Sequence, residues 1–597
     1  MVKNSFQRGY RSLAGWGMTF LWRTSRFHTL SFVLTSFVQV AVEVAQLWVA
    51  ALVVGEIGTI IISRGTPDKL YLLAASSIAL MIVDKIAWTL LWYHERQLYL
   101  KGSSETYRMF NTKLSSLSVS QHHNGEIRKL IDRLGYEGYA WKPLNFSFSL
   151  LYAIHALTKF LTSSIILITQ LPLVVLLLVI GVAPTMFIQR KSGDLGWGIW
   201  GDVGDKSRIF WGVANHLSRK ETMEEIIPQR SAPYLLKRAH EAIDEYTTKA
   251  MAIRKRFAQY SVVGAVFEMI MAGVSYVWFI SQAVAGKLAF DSFVFMSSLI
   301  WQTLSSVRLV VNQVADALQN VPFMRDFIAF SELKNDLPMA ENPLRLGDEP
   351  LTIEFQNVSF AYPGHKRHSI KNVSLTLQPG DHVALVGLNG AGKTTFIRLL
   401  LRFYDPTEGR ILVNGVDIKN IDLDSYYIHI GTLFQSFNKY PLSFEDNIVL
   451  SGRKKFKKYQ QALDISGANA VRGKLRSSRT FLSPEFEDGV DLSGGEWQRV
   501  AIARNLYAGG DVFILDEPTS AIDSLTEQDI FEKLYKKFEG RTLITVSHRF
   551  NTVRRADRVV VFSNGQIIET GSHTALMRQN GLYHEMFRSQ AAGYKEQ

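Results

Sequence analysis

Six long apolar blocks fill the first half of the chain and decide what it can fold into. They cover approximately residues 29–54, 71–93, 146–169, 171–189, 258–284 and 289–315. Each is long enough to cross roughly 30 Å of hydrocarbon at about 1.5 Å per helical residue. A backbone in lipid must satisfy its own hydrogen bonds, so the blocks are expected to be helices. An all-α transmembrane domain of six helices is therefore expected over residues 29–330. The third and fourth blocks are separated by little more than Gln170, Leu171 and Pro172, which predicts a tight turn. Long polar segments follow the second and fourth blocks. Within the first of them Ile127, Leu130, Ile131 and Leu134 recur at helical spacing, so long helices should project beyond the membrane.

Charge orients these spans. The net charge is +12, and residues 1–28 carry Lys3, Arg8, Arg11, Arg23 and Arg26 with no acid. Residues 93–145 carry +3 and residues 189–257 carry +4, so three segments on one side of the membrane hold the whole excess. The loops at 55–70 and 285–291 balance to zero. This positive-inside pattern places the N-terminus, both long segments and everything after the sixth span in the cytoplasm. The cell's inner membrane is the expected location, an organellar membrane the alternative. No aromatic-basic interleaving accompanies the charge, so the lipid bilayer and not nucleic acid is the expected partner. The chain has no cysteine, which excludes disulfides, thiolate metal sites and a cysteine-peptidase appendage.

Residues 1–28 admit two readings. An acid-free stretch containing Arg and Ser fits a mitochondrial transit peptide. Trp16, Phe20, Leu21 and Trp22 instead suit an amphipathic helix lying at a membrane surface, the reading preferred here. At the other end of the spans, residues 331–350 are polar, contain three prolines and read as a linker. After Pro350 short β-type runs alternate with helical patterns, among them Leu351–Phe355, His382–Val386, Val512–Leu515 and Thr542–Val546. An α/β domain is expected over residues 351–597.

That domain carries phosphate chemistry. The strand His382–Val386 runs into Gly387-Leu388-Asn389-Gly390-Ala391-Gly392-Lys393-Thr394-Thr395, which fits GxxxxGK(S/T) between a strand and a helix. Glycines let backbone N–H groups turn inward as an anion nest at the helix N-terminus. Lys393 can neutralise β and γ phosphates, and the Thr394 hydroxyl can ligate Mg²⁺. Farther along, the strand Val512–Leu515 delivers Asp516 to the Mg²⁺ shell. Glu517 beside it is placed to polarise a water for attack on the γ phosphate.

Many nucleotide-binding folds share those two elements; Leu492-Ser493-Gly494-Gly495-Glu496 with Gln498 and Arg499 is narrower. It resembles the signature of the ATP-binding cassette (ABC) superfamily, and the resemblance covers almost the whole chain. It implies an ABC-type P-loop NTPase that binds and hydrolyses ATP with Mg²⁺. On that resemblance Tyr362 is the aromatic that stacks on adenine and Gln435 the Q-loop glutamine that touches Mg²⁺. Asp523 lies in the D-loop, and His548 is the switch histidine that contacts the γ phosphate. Glu487-Asp488-Gly489 occupies the place of a short loop that contacts intracellular helices in exporters. The signature departs from the commoner LSGGQ at Glu496, which puts an acid where an amide is usual and makes a slower or differently Mg²⁺-dependent turnover an open expectation.

In this family the signature of one cassette, Leu492 to Glu496 with Asp523, closes over the nucleotide site of another. A chain with one cassette must therefore pair, most simply as a homodimer, with a heterodimer as the alternative. Six spans ahead of the cassette resemble the exporter-type (type IV) architecture, an ATP-driven translocase working by alternating access. Coupling is expected near Ser115 to Asn124 and near Glu221 to Tyr234, the second reaching the partner's cassette.

Polar residues inside the spans are the only clue to cargo. Gln39, Glu43 and Gln46 share one face of the first span, Asp84 lies in the second, His155 and Lys159 in the third, Glu268 in the fifth, and Gln302 and Gln313 in the sixth. They read equally as a cavity for a small-molecule or peptide substrate, or as pairs that lock helices, with Arg308 snorkelling at a helix end. Export of a peptide, drug-like or other amphipathic compound leads. Flipping of a lipid or lipid-linked glycan, an ATP-gated channel and an importer are the alternatives.

Overall fold

The computed structural model describes residues 10–63, 66–288, 290–450, 454–516, 524–546 and 553–595, with the backbone alone at a few of these, chiefly 190–208. Two compact units emerge, one of residues 1–117 and 125–334, the other of residues 118–124 and 335–597.

The first unit is helical. Helices α1 (Tyr10–Thr24), α2 (Arg26–Ser63) and α3 (Asp68–Ser115) precede the short α4 (Val119–His123), which belongs to the second unit. Then come α5 (Gly125–Glu137), α6 (Lys142–Ile168), α7 (Pro172–Leu217), α8 (Lys220–Ile226), α9 (Ala232–Val284) and α10 (Phe290–Ser331). Among the described residues six helices are long and apolar enough to cross a membrane: α2, α3, α6, the first part of α7, α9 and most of α10. Val174 and Leu178 of α7, Phe279 of α9 and Leu299 and Leu304 of α10 bury a shared core, while many other apolar side chains of these helices face outward. Only 6% of the most apolar stretch of α3 is buried inside the unit, and Ile62 and Val277 are 87% and 68% exposed. Such a surface suits lipid and not water.

The helices overrun the apolar blocks that mark them. α3 has 48 residues and α9 has 53, roughly 70 and 80 Å of helix against about 30 Å of hydrocarbon. Beyond the lipid, packing replaces hydropathy as the organiser. Leu130 and Leu134 of α5 are buried with Phe110 of α3 and with Phe323, Phe327 and Phe330 of α10. Pro172 at the start of α7 confines the turn after α6 to three residues, since its missing N–H costs nothing there.

The second unit is α/β. A four-stranded sheet has the order β2-β1-β4-β5, and a six-stranded sheet the order β10-β9-β3-β8-β7-β6. The strands are β1 (Ile353–Phe360), β2 (Ile370–Leu377), β3 (His382–Val386), β4 (Glu408–Val413), β5 (Val416–Asp417), β6 (Ile430–Leu433), β7 (Val512–Asp516), β8 (Thr542–Val546), β9 (Arg558–Ser563) and β10 (Gln566–Gly571). Helix α11 (Lys393–Leu400) lies between the sheets, with Phe396 stacked on Phe355 at 4.3 Å. A separate helical core gathers Phe444, Tyr459, Leu463, Val471 and Trp497.

Two short segments are tied into this unit. The stretch expected as a linker is held by Arg402, fully buried, which donates to the carbonyls of Pro338 at 2.8 Å and Ile418 at 2.9 Å. Leu344 N–H donates to Asn420 O at 2.8 Å. The other segment is α4, started by a reciprocal cap between Ser118 and Gln121. Hydroxyls of Ser118 and Ser120 bond the Asp336 carboxylate, and His123 Nδ1 lies 2.7 Å from Tyr404 Oη.

Candidate nucleotide site

The phosphate loop is shaped by two glycines that no other residue replaces. Gly387 leaves β3 with φ +148°, and a Cβ there would stand 2.3 Å from the Phe562 carbonyl oxygen. Gly392 caps α11 with φ +116° and offers no side chain to the helix's free N–H groups. Those groups carry the positive end of the helix dipole, so the loop is chemically fitted to an anion. Leu388, Asn389 and Gly390 are exposed around it and Ala391 is buried. Lys393 is 6% exposed, and its ammonium donates to the carbonyl oxygens of Gly387 at 2.7 Å and Leu388 at 3.2 Å. Thr394 is exposed, whereas Thr395 is buried with its hydroxyl 3.1 Å from Tyr362 Oη. Arg398 also donates to Tyr362 Oη, at 3.0 Å, and the Tyr362 ring stands edge-on to Phe360 and Tyr404.

Sheet order brings the remaining elements to one edge. β6 pairs parallel with β7, Leu433 opposite Leu515, so Gln435 and Asp516 leave the carboxyl ends of neighbouring strands. β8 lies between β7 and β3, which makes its carboxyl end the neighbour of both. Ligands of open parallel sheets bind at such carboxyl ends. Thr394 hydroxyl, Gln435 carbonyl and Asp516 carboxylate are hard oxygen donors of the kind Mg²⁺ takes. Glu517, Asp523 and His548, which the sequence adds to this set, lie outside the described residues.

The signature forms the start of a different helix, Gly494–Ala508, anchored by Leu492 and Trp497 in the separate helical core, with Gln498 also buried. Ser493 is its N-cap, and Glu496 completes a capping box. Glu496 Oε2 accepts from the Ser493 N–H and hydroxyl, both at 2.9 Å, while Oε1 meets Lys474 Nζ at 2.6 Å. Lys474, followed by the Ser493 backbone, holds the Glu496 carboxyl down to about 2. The acid that departs from the usual amide is thus both a helix cap and a neutralised charge. Lys474 stands 22 residues upstream, and no periodicity or motif links it to the signature. Gly494 is exposed and Gly495 half-buried at the helix start. In the loop before it, Asp488 pairs with Arg476 at 3.0 Å.

In the membrane unit the polar residues sort into two groups. Glu43 pairs with Lys159 and accepts at 3.5 Å from both Gln39 and Gln302, joining α2, α6 and α10. Asp84 and His155 lie within the electrostatic reach of this pair. The second group is Glu268, 2% exposed, bonded to Arg308 at 2.6 Å. Arg308 therefore ties α10 to α9 instead of snorkelling, because a buried carboxylate stands within its reach. Gln46 and Gln313 are half-buried outside both groups.

Comparison with known proteins gives the same picture. The family model described as ABC transporter matches residues 370–520. The subtilin transport ATP-binding protein SpaT of Bacillus subtilis is 30% identical over 492 residues, 80% of this chain and 78% of its own. The nisin transport ATP-binding protein NisT of Lactococcus lactis is 24% identical over 482 residues, 80% of each chain. An ATP-dependent lipid A-core flippase of Paraburkholderia xenovorans is 34% identical over 306 residues, 48% of this chain and 49% of its own. The solved structure of a bacterial Atm1-family ABC exporter with ATP bound superposes with a TM-score of 0.81 at 22% identity, covering 94% of this chain and 98% of that one. A membrane unit of six spanning helices, an ATP-binding cassette on the same polypeptide and a relative alike over four-fifths of the chain lead to one conclusion: this protein belongs to the ABC transporter family, as an ATP-driven, exporter-type half-transporter.

Proposed function

We propose that the working unit is a two-fold homodimer that exports a peptide-like or other amphipathic compound across the cell's inner membrane, with the cassettes in the cytoplasm. One observation carries the choice of cargo. Two relatives alike over 80% of this chain, a length that must include much of the membrane unit, are named for subtilin and nisin transport. The flippase relative is alike over about half the chain, which makes lipid flipping the second reading. The positive-inside charge supports the orientation.

In this reading each residue has a chemical task. The N–H groups of the loop from Gly387 to Thr395 and the Lys393 ammonium bind the phosphates, and Tyr362 supports the base. Thr394, Gln435 and Asp516 would hold Mg²⁺, which would supply charge neutralisation on the phosphates. Glu517 orients the attacking water as general base, and His548 holds the γ phosphate end of the site. Ser493 and the N–H groups of Gly494 and Gly495, presented at a helix N-terminus on a different core from α11, suit completion of the site from a second chain. Asp523 assists across that interface. Helix α4, tied to the cassette through His123 and Asp336, and α8, within the second expected tip, carry the motion to the spans.

Reconstitution in liposomes with a compound panel, recording ATPase stimulation and the direction of net flux, tests the reading. Peptide-like compounds are expected to stimulate turnover and move outward, and Glu517→Gln should lower both by about a hundredfold or more. Flux undiminished by Glu517→Gln refutes ATP drive, and translocation of labelled phospholipid without any soluble cargo replaces export by flipping.

A further inference from the structure

Between α1 and α3 lies an open cleft of about 1030 Å³, within the membrane unit and far from the nucleotide site in sequence. Three cations line it: Arg23 from α1, and Lys101 and Arg108 from α3. Glu105 is the sole acid of the lining and faces Arg108 at 4.0 Å. Arg23 and Lys101 have no ion-pair partner among the described residues, and residues 1–28 contain no acid to supply one. Two positive charges are thus held uncompensated where the chain turns from α1 into the first span.

The cleft also has an apolar side. Trp16 and Phe20 stack at 5.1 Å on its wall. A Cβ at Gly15 would meet nothing within 4 Å, so the small face of α1 leaves the volume open. Just beyond Thr24, the last α1 residue in the lining, Phe27 and Leu30 are 68% and 50% exposed on the lipid-facing surface of α2. A ligand that suits all three features has an anionic head, a body of a few hundred Å³ and an apolar tail that leaves towards hydrocarbon.

We infer that this cleft binds the phosphate headgroup of an anionic membrane phospholipid, with Arg23 and Lys101 on the phosphate and the acyl chains lying along α2. The leaflet occupied rests on the orientation proposed above. The binding itself does not, nor does it depend on cargo or turnover.

The test uses the full chain purified from nanodiscs of mixed phosphatidylglycerol and phosphatidylcholine, with retained lipid counted by native mass spectrometry. The unaltered protein is expected to retain phosphatidylglycerol preferentially. Each basic residue near a membrane surface favours anionic lipid by a factor of roughly five, so Arg23→Ala with Lys101→Ala should lower that preference more than tenfold. Gly15→Leu fills the cleft without touching a charge and should lower it as well, whereas Lys457→Ala, an exposed cation of the second unit, should not. Because Gly15→Leu adds a good helix former in open space, it separates loss of the site from loss of the fold. A preference that survives both the charge variants and Gly15→Leu overturns the proposal. So does displacement of bound lipid by soluble glycerol phosphate as readily as by short-chain phosphatidylglycerol, which would make the site one for a free anion.

Discussion

Replacing Lys474 by methionine would strip Glu496 of its counter-charge while leaving the cap of the signature helix in place. The ammonium stands 2.6 Å from one carboxylate oxygen, and the other oxygen stays bonded to Ser493. Lys474 is 71% exposed, so the pair itself contributes only about 0.5 kcal/mol to stability. The larger effect falls on the nucleotide. A bare carboxylate one helical turn, about 5.4 Å, from a phosphate seated at that N-terminus repels it by about 0.8 kcal/mol even at the dielectric constant of water. Steady-state ATPase assays in nanodiscs should therefore show KM for ATP rising roughly fourfold in Lys474→Met at low salt, and less as salt screens the charge. Adding Glu496→Gln should return KM to within about twofold of the parent, since the local charge is again zero and glutamine keeps a capping box, whereas Glu496→Gln alone leaves Lys474 as an uncompensated cation and should lower KM instead of raising it. The carboxyl of Glu496 is held below its ordinary value, so its stabilising contribution is complete above about pH 4.5 and is lost only as pH falls towards 2. The fourfold change should accordingly be flat between about pH 6 and 8. An unchanged KM in Lys474→Met, or a raised KM that Glu496→Gln fails to rescue, refutes the reasoning.

Gly387→Ala should abolish the thermal shift produced by Mg²⁺-ATP, because its Cβ would sit 2.3 Å from a backbone oxygen at a φ that alanine avoids, a strain above about 1–3 kcal/mol. Lys159→Met should leave Glu43 uncompensated and lower the detergent-solubilised melting temperature by an amount corresponding to about 2–4 kcal/mol, with Glu43→Gln in the same chain restoring most of it. If both single variants keep full stability yet lose substrate-stimulated ATPase, the pair serves cargo and not packing.

Hydropathy and motif made the spans and the phosphate loop legible, since lipid and phosphate each impose a local rule on consecutive residues. What escaped was set by contacts between residues distant in the chain. Nothing near Arg402 foretells that a guanidinium will be fully buried against the carbonyls of Pro338 and Ile418, so that Pro338, in the stretch that reads as a linker, is bound to the cassette. Arg308 read as a snorkelling end residue because its partner Glu268 lies 40 positions away on another helix. The periodicity of Ile127 to Leu134 did predict α5, but nothing in it shows that α4, just upstream, is tied to Asp336 and Tyr404. The roles of Glu517, Asp523 and His548 stand on motif alone.

The Lys393 ammonium, folded onto the carbonyls of Gly387 and Leu388, has a consequence for selectivity. A loop whose cation is already satisfied presents little bait to the orthophosphate and sulfate that crowd any cell. An incoming anion has to outcompete two charge-assisted bonds of about 1.5–3 kcal/mol each before it gains the lysine. A lone inorganic anion brings one cluster of oxygens to that contest. A nucleotide brings a chain of phosphates and a base that can be gripped elsewhere while the lysine swings over. The two bonds of Lys393 thus set a threshold that a small ion meets poorly and that a ligand long enough to hold on by its other end can pass.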